Sequence, residues 1–272
     1  MNQVLGTKVL PLAPDHASAL LISDLHVPAD GGRAFERLRG AAALAIARRL
    51  PLLVLGDLFD SYVCRGQIRH GVWRDVAALF ARVVAAGLPV YVLHGNRDFL
   101  LGSEFERASG ATVIAGGLRG QLGGVDTLLL HGDELCQNDV PYQRAKRWLR
   151  SAPVRWLARH LPVRVALAAA AKARQKSQRV MQSGDARRFL PTMQAIDAAF
   201  MTGAKRLVFG HIHTPAHGAY GTGHYWVLPA FDVDGGGLLV SPAGIEPVTV
   251  ADANGTCTVR PAVGALQFAQ GT

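Results

Sequence analysis

Ala19-Leu-Leu-Ile-Ser-Asp24-Leu-His26, Pro51-Leu-Leu-Val-Leu-Gly56-Asp57 and Pro89-Val-Tyr-Val-Leu-His-Gly95-Asn96 share one design. In each, a short apolar run ends directly in polar groups. Runs of this length and composition, bounded by such groups, read as buried strands. Asp126-Thr-Leu-Leu-Leu130 before His131-Gly132, and Arg206-Leu-Val-Phe209 before Gly210-His-Ile-His213, repeat the design. Between the first three, residues 33–49 and 72–86 carry apolar residues at helical spacing. Strand and helix in alternation predict a layered α/β fold. Ligands gather at the carboxyl ends of strands in such sheets, so motifs in that position point to one shared site.

Outward from this core the text changes. From about residue 140 to 200 the strand signal gives way to helical text punctuated by Pro153, Pro162 and Pro191, and strand candidates return at 225–228 and 238–241. The expected organisation is a single domain, residues 1–272, interrupted by a basic helical insertion at about 140–200. A chain of 272 residues, 49% hydrophobic with 30 glycines, suits a compact enzyme rather than a disordered or fibrous protein. No apolar run approaches the ~20 residues that span a bilayer, and the first residues lack the pattern of a secretory leader, so a cytoplasmic location is expected. Cys64, Cys136 and Cys257 are an odd, scattered set that supports neither a zinc finger nor a disulfide framework.

The net charge of +9 is local. Residues 144–188 hold 13 Lys/Arg and one acid, Asp185, for +12; the remainder holds 16 basic and 19 acidic residues, for −3. Such a patch meets an anionic partner.

The polar groups at the strand ends are metal-ligand types. Asp24-x-His26 places a carboxylate and an imidazole on one side of an extended segment. Asp57 follows a glycine that lets backbone come close, and it is the natural bridge, because two cations ~3.5–4 Å apart need a shared anion. Asn96 adds an amide oxygen. His131, His211 and His213 add imidazoles, which ligate divalent first-row metals. Each motif alone is common by chance, but seven such residues in five strand-end blocks read together as a two-metal site.

This constellation resembles the calcineurin-like metallophosphoesterase superfamily, with its pattern D-x-H, G-D, G-N, H and G-H-x-H. The resemblance implies a β-sandwich flanked by helices and a pair of divalent ions, commonly Mn²⁺. By motif position, Asp24, His26, Asp57 and His213 would hold one ion, and Asp57, Asn96, His131 and His211 the other. The ions would supply an activated water that attacks phosphorus in line.

Arg97 narrows the chemistry. Many superfamily members have a histidine after the asparagine, able to protonate the leaving oxygen; an arginine cannot do this near neutral pH. A phosphate leaves without a proton and can be neutralised by a bidentate guanidinium, so Asp57 and Arg97 are the expected catalytic pair for a pyrophosphate linkage. A structural ion pair between Arg97 and a nearby acid is the plain alternative.

Gly95-Asn-Arg-Asp-Phe-Leu-Leu-Gly102 and His131-Gly-Asp-Glu-Leu-Cys-Gln-Asn-Asp-Val-Pro-Tyr-Gln143 are similar to the UDP-2,3-diacylglucosamine pyrophosphatase family. That family cleaves UDP-2,3-diacylglucosamine at the α-phosphorus, giving UMP and 2,3-diacylglucosamine 1-phosphate for lipid A synthesis. The resemblance places substrate contacts at Asn96, Arg97, Asp139, Tyr142, Ser177 and His211. Two further polar contacts of that family fall here on Met181 and Gly184, the loop after Asp60 lacks an acidic pair, and the later G-D-W reads Pro229-Ala-Phe-Asp232.

In the insertion, Trp148, Leu149, Trp156, Leu157 and Leu161 recur at helix-like intervals among Arg147, Arg150, Arg155, Arg159 and Arg164. A basic helical lid with an aromatic face suits acyl chains and an anionic membrane surface, which predicts a peripheral position on the cytoplasmic face of the inner membrane. The plainer reading is an amphipathic hairpin with a solvated face. Nucleic acid is disfavoured as a partner, since a nuclease would want a proton donor after Asn96 and aromatic platforms for bases. Another lipid or nucleotide pyrophosphatase, or a phosphodiesterase on the same fold, is the alternative enzyme. A non-enzymatic module would be expected to have lost ligands. The sequence names no protein partner.

Overall fold

The computed structural model describes residues 3–182, 186–251, 253–261 and 263–271, with backbone alone at 159, 173–182, 186 and 187. The chain begins with β1 (Gln3–Val4), β2 (Thr7–Pro11), β3 (Ala19–Ile22), α1 (Gly32–Arg48), β4 (Leu52–Val54), α2 (Gly71–Ala85) and β5 (Val90–Leu93). It continues through α3 (Ser103–Ser109), β6 (Thr112–Ile114), β7 (Gly117–Leu122) and β8 (Val125–Leu129). Four helices follow: α4 (Val140–Leu149), α5 (Ala152–His160), α6 (Val163–Gln182) and α7 (Met193–Phe200). The last part holds β9 (Arg206–Phe209), β10 (Ala216–Tyr220), β11 (Gly223–Val227), α8 (Phe231–Asp234), β12 (Gly236–Ser241), β13 (Gly244–Val250) and β14 (Cys257–Val259).

The strands form two seven-stranded sheets, ordered β1-β2-β7-β8-β9-β11-β10 and β14-β13-β12-β3-β4-β5-β6. Alternation of side chains along each strand explains why two sheets are needed. Leu21, Leu53 and Leu93 face one way and meet Leu118, Leu129 and Val208 of the other sheet. Leu20, Leu52 and Val92 face the other way and are covered by α1 and α2 through residues such as Leu38, Val76 and Phe80. The outer face of the sheet that holds β8 and β9, with Leu128 and Leu207, is covered by Ala195, Ile196 and Ala199 of α7. The result is a β-sandwich between helical layers, an α/β architecture of four layers.

β3, β4, β5 and β6 run parallel, as do β8, β9 and β11. All five motif-bearing strands therefore discharge at one end of the sandwich. Pro141, Pro153 and Pro162 stand at the beginnings of α4, α5 and α6, where the missing N–H costs nothing. α4 buries none of its residues, whereas Ala158 of α5 and Leu167 of α6 rest on the core beneath α2. Trp148 and Trp156 are each 65% exposed and Leu157 is 58% exposed, so both tryptophans of this region face outward.

Candidate metal centre

Asp24 and His26 leave β3, Asp57 leaves β4, Asn96 leaves β5, His131 leaves β8, and His211 and His213 leave β9. Their polar atoms converge. His26 Nε2 is 3.2 Å from Asp57 Oδ2, His131 Nε2 is 3.9 Å from the same oxygen, and His213 Nε2 is 3.3 Å from Asp24 Oδ1. Asn96 Oδ1 is 3.1 Å from His131 Nε2. The rings of His131 and His211 lie 5.1 Å apart, as do those of His26 and His213.

The backbone at this site is unusual. Asp24, His26, Asp57, His211 and His213 all have positive φ, between 44° and 69°. Non-glycine residues enter that left-handed region seldom, and Asp, Asn and His do so most readily. The neighbouring glycines are set by close approach: a Cβ at Gly95 would fall 2.1 Å from Asp57 Oδ1, and one at Gly56 would fall 2.4 Å from His131 Nδ1.

The donor set fits divalent cations. Asp24 and Asp57 are buried, and burial pushes their carboxyls up. The surrounding imidazoles, joined at Asp57 by Arg97, outweigh that and hold both below the usual carboxylate range. Asp24 Oδ1 is buried and receives no hydrogen bond of good geometry, although His213 Nε2 is nearby. A buried anionic oxygen left that way is expensive unless a cation completes it. His131 Nδ1 donates to the Leu55 carbonyl at 2.8 Å, which orients the ring and directs Nε2 toward Asp57 and Asn96. His211 is lowered to about 4 by burial and by His131, so it is neutral and available as a ligand.

Among the described residues, Asp24, His26 and His213 form one cluster of candidate ligand atoms within 4.8 Å of one another. Asp24, Asp57 and His131 form another. Asp24 is thus shared between the clusters, while Asp57 enters only the second. Of the grouping expected from motif position, the first cluster holds Asp24, His26 and His213 but not Asp57. The second differs from it in taking Asp24 where His211 was expected.

Residues 18–215 match the family of calcineurin-like phosphoesterases. The chain belongs to that family. Among curated relatives, the UDP-2,3-diacylglucosamine hydrolase of Pseudomonas fluorescens is 37% identical over 207 residues, covering 72% of this chain and 79% of the relative. That of Pseudomonas aeruginosa is 35% identical over 218 residues, covering 73% and 83%. That of Shewanella piezotolerans is 34% identical over 209 residues, covering 72% and 82%. Among solved structures, Vacuolar Protein Sorting 29 from Cryptosporidium parvum is 13% identical with a TM-score of 0.45, over 89% of this chain and 95% of that one.

In this calcineurin-like phosphoesterase, the residues expected to contact substrate fall into two groups. Asn96, Arg97, Tyr142 and His211 stand together at the metal cluster, with the Tyr142 ring stacked on His211 at 6.4 Å between centroids. Asp139 instead caps α4, accepting the Tyr142 N–H at 3.4 Å. The side chain of Ser177 lies outside the described residues. Arg97 Nη1 donates to Asp60 Oδ1 at 2.8 Å while its Nε stands 3.6 Å from Asp57 Oδ2.

Three carboxylates that sequence reasoning gave no role are part of the site's frame. Asp232 Oδ2 lies 3.0 Å from His26 Nδ1 and so orients that ring. Asp98 accepts from the backbone N–H groups of Leu58 and Gly95, at 2.7 and 2.9 Å, tying the exits of β4 and β5 together. Asp133, two residues beyond His131, accepts from the Tyr142 hydroxyl and pairs with Lys146 Nζ at 2.8 Å. Arg150 reaches back to the Gly95 carbonyl at 3.0 Å, so α4 is fastened at both ends of the site. Asp98 and Asp133 sit inside motifs visible in the sequence. Asp232 is 206 residues from His26, and only the fold brings the two together.

Proposed function

We propose that the chain is a two-metal pyrophosphohydrolase that cleaves UDP-2,3-diacylglucosamine to UMP and 2,3-diacylglucosamine 1-phosphate, in lipid A synthesis. The observation that carries this is Arg97, placed beside Asp57 in a chain 34–37% identical to hydrolases named for that substrate.

Asp24, His26, Asp57, Asn96, His131, His211 and His213 would hold the two ions, with Mn²⁺ as the proposed metal because Asp24, Asp57 and Asn96 contribute hard oxygens beside the imidazoles. When bound, the ions lower the pKa of a water and offset charge on the phosphoryl oxygens. The protein's own share is placement. Arg97 stands ready to exchange its hydrogen bond with Asp60 for a bidentate contact to the departing phosphate. His211, neutral in its buried setting, offers a hydrogen bond or a lone pair without bringing a second positive charge. The Tyr142 ring, fixed by Asp133, forms one wall of the site.

Residues 140–200 would act as a lid over the acyl chains within a single domain spanning the chain. The outward Trp148, Trp156 and Leu157, set among arginines, would rest on an anionic membrane surface, the cytoplasmic face of the inner membrane. Among the described residues no helix is long and apolar enough to cross a membrane, which suits contact from one side.

The test is direct. Purified protein with Mn²⁺ should release UMP from UDP-2,3-diacylglucosamine and cleave bis(p-nitrophenyl) phosphate or single-stranded DNA far more slowly. The reverse preference would remove this reading.

A further inference from the structure

Away from the metal cluster, a cavity of about 480 Å³ opens where the short 3-10 helix at residues 65–69, α3 and the α5–α6 junction meet. None of its lining residues belongs to the candidate metal centre or to the substrate contacts named above. Its wall carries three guanidinium groups, Arg65, Arg69 and Arg107, against one carboxylate, Glu104, with His160 at the rim. That balance is +2 before His160 is counted.

These charges are not spent on one another. Among the described residues, Arg65, Arg69 and Arg107 make no ion pair and no side-chain hydrogen bond, and Glu104 Oε1 is buried without a partner. All three arginines are exposed and line a cleft half-open to solvent, where several like charges facing one space raise the local concentration of anions. Guanidinium forks match the oxygens of a phosphate, and three of them accommodate a dianion. The cavity is large enough for a small headgroup as well as a free ion.

The setting adds a direction. The His160 ring lies against Trp156, tilted, at 4.8 Å between centroids, and that tryptophan is 65% exposed beside the outward Leu157. An exposed tryptophan next to a basic cavity is the arrangement found where a protein meets the headgroup level of a bilayer.

We infer that this cavity is a phosphate-binding site, one that takes a phosphomonoester dianion, carried by a lipid headgroup or free in solution. It is independent of the reaction proposed for the metal centre. Arg65, Arg69 and Arg107 hold the phosphate oxygens.

The experiment uses metal-loaded protein. Inorganic phosphate is titrated calorimetrically into wild type and into Arg65→Gln/Arg69→Gln/Arg107→Gln, each with melting temperature and metal content verified. Both are then floated with vesicles containing a phosphomonoester lipid (phosphatidic acid) or a phosphodiester lipid (phosphatidylglycerol) at matched surface potential. A charge-matched control, Arg144→Gln/Arg147→Gln/Arg164→Gln, removes equal charge elsewhere. Any phosphate that binds at the metals is common to all three proteins. The triple cavity variant should bind one phosphate fewer per chain, or should lose roughly tenfold or more of its affinity for the monoester vesicles. The control should weaken both vesicle types alike. Preference for monoester vesicles that the cavity variant loses assigns the phosphate to a lipid; a lost phosphate without vesicle preference assigns it to a soluble ion. If the triple variant does not fold, Arg69→Gln alone is read in the same way. Identical phosphate stoichiometry, with equal flotation of wild type and cavity variant on both vesicle types, overturns the proposal.

Discussion

Arg97 is held between two carboxylates, donating to Asp60 Oδ1 at 2.8 Å and standing 3.6 Å from Asp57 Oδ2. The guanidinium is therefore parked over the proposed bridging ligand and has only a short distance to travel to a leaving phosphate. Arg97→Ala should lower turnover on the pyrophosphate substrate by roughly 10²-fold or more. It should cost far less on an activated aryl phosphodiester, whose leaving group carries less charge. Asp60→Asn should keep most of kcat but raise KM, because the guanidinium loses its rest position. Equal losses on both substrate types for Arg97→Ala, with metals bound, would make the arginine merely structural.

Removing Asp57 should be more severe. In Asp57→Ala both proposed ions lose a shared anion, and the loss should exceed the roughly 10–100-fold typical of an outer-shell residue. Metal content by mass spectrometry and turnover should fall together. Full metal occupancy with near wild-type turnover would contradict a bridging role.

His26 gives a pH dependence with a definite sign. Burial lowers its pKa, but the hydrogen bonds to Asp232 and Asp57 outweigh burial and raise it from 6.5 to about 9 in the metal-free protein. A raised imidazole stabilises the metal-free fold fully below pH 6.5, and that contribution disappears as pH rises through about 9. Metal must displace the same proton, so affinity should climb by roughly tenfold per unit in that interval and proton release should be measurable. Asp232→Asn should lower the pKa and flatten the slope. A slope unchanged in that variant would show that Asp232 does not govern the ring.

Asp133 should report on the attachment of α4. Asp133→Asn leaves Lys146 facing a buried neutral amide, and breaking a buried pair of this kind costs about 3 kcal/mol. Chemical denaturation should show the loss, and amide exchange should quicken across residues 140–149. Unchanged protection there would mean that α4 is held by packing alone.

If the arginine-rich helices rest on anionic lipid, Arg147→Glu and Arg155→Glu should each weaken vesicle binding by about 1 kcal/mol, with the effect fading as salt rises. Arg159 was read with them from the sequence, but its side chain lies outside the described residues. Binding indifferent to salt and to lipid charge would remove the membrane surface as a partner.

The sequence carried the fold class because the central strands are apolar over most of their length, which burial between two layers requires. Ala19–Ile22, Leu52–Val54, Val90–Leu93 and Arg206–Phe209 stand where the apolar runs placed them. The division into two sheets was not legible, since a run such as Leu20-Leu21-Ile22 is equally apolar toward the helices and toward the facing sheet. Strand β7, with Arg119, Gly120 and Gln121 between Leu118 and Leu122, has no continuous apolar run and was not legible, because its place is set by its partners β2 and β8 on either side. At the site, the seven residues named as ligands do come together, because short motifs at strand exits move with the strands. Asp232 and the pairing of Asp133 with Lys146 were invisible, because they depend on how distant loops and a helix are laid across the sandwich.

The left-handed backbone at Asp24, His26, Asp57, His211 and His213 has a bearing on how such a centre changes over generations. A β-branched or bulky replacement there meets a steric penalty in addition to the lost donor, whereas Asn, Asp, His and Gly are accommodated. Most of the residues that the chain geometry admits are therefore themselves able to bind a cation. Drift at these five positions is channelled toward altered metal preference before it reaches outright loss, and a lineage that abandoned the chemistry would be expected to carry Asn or Gly there long before Val or Ile.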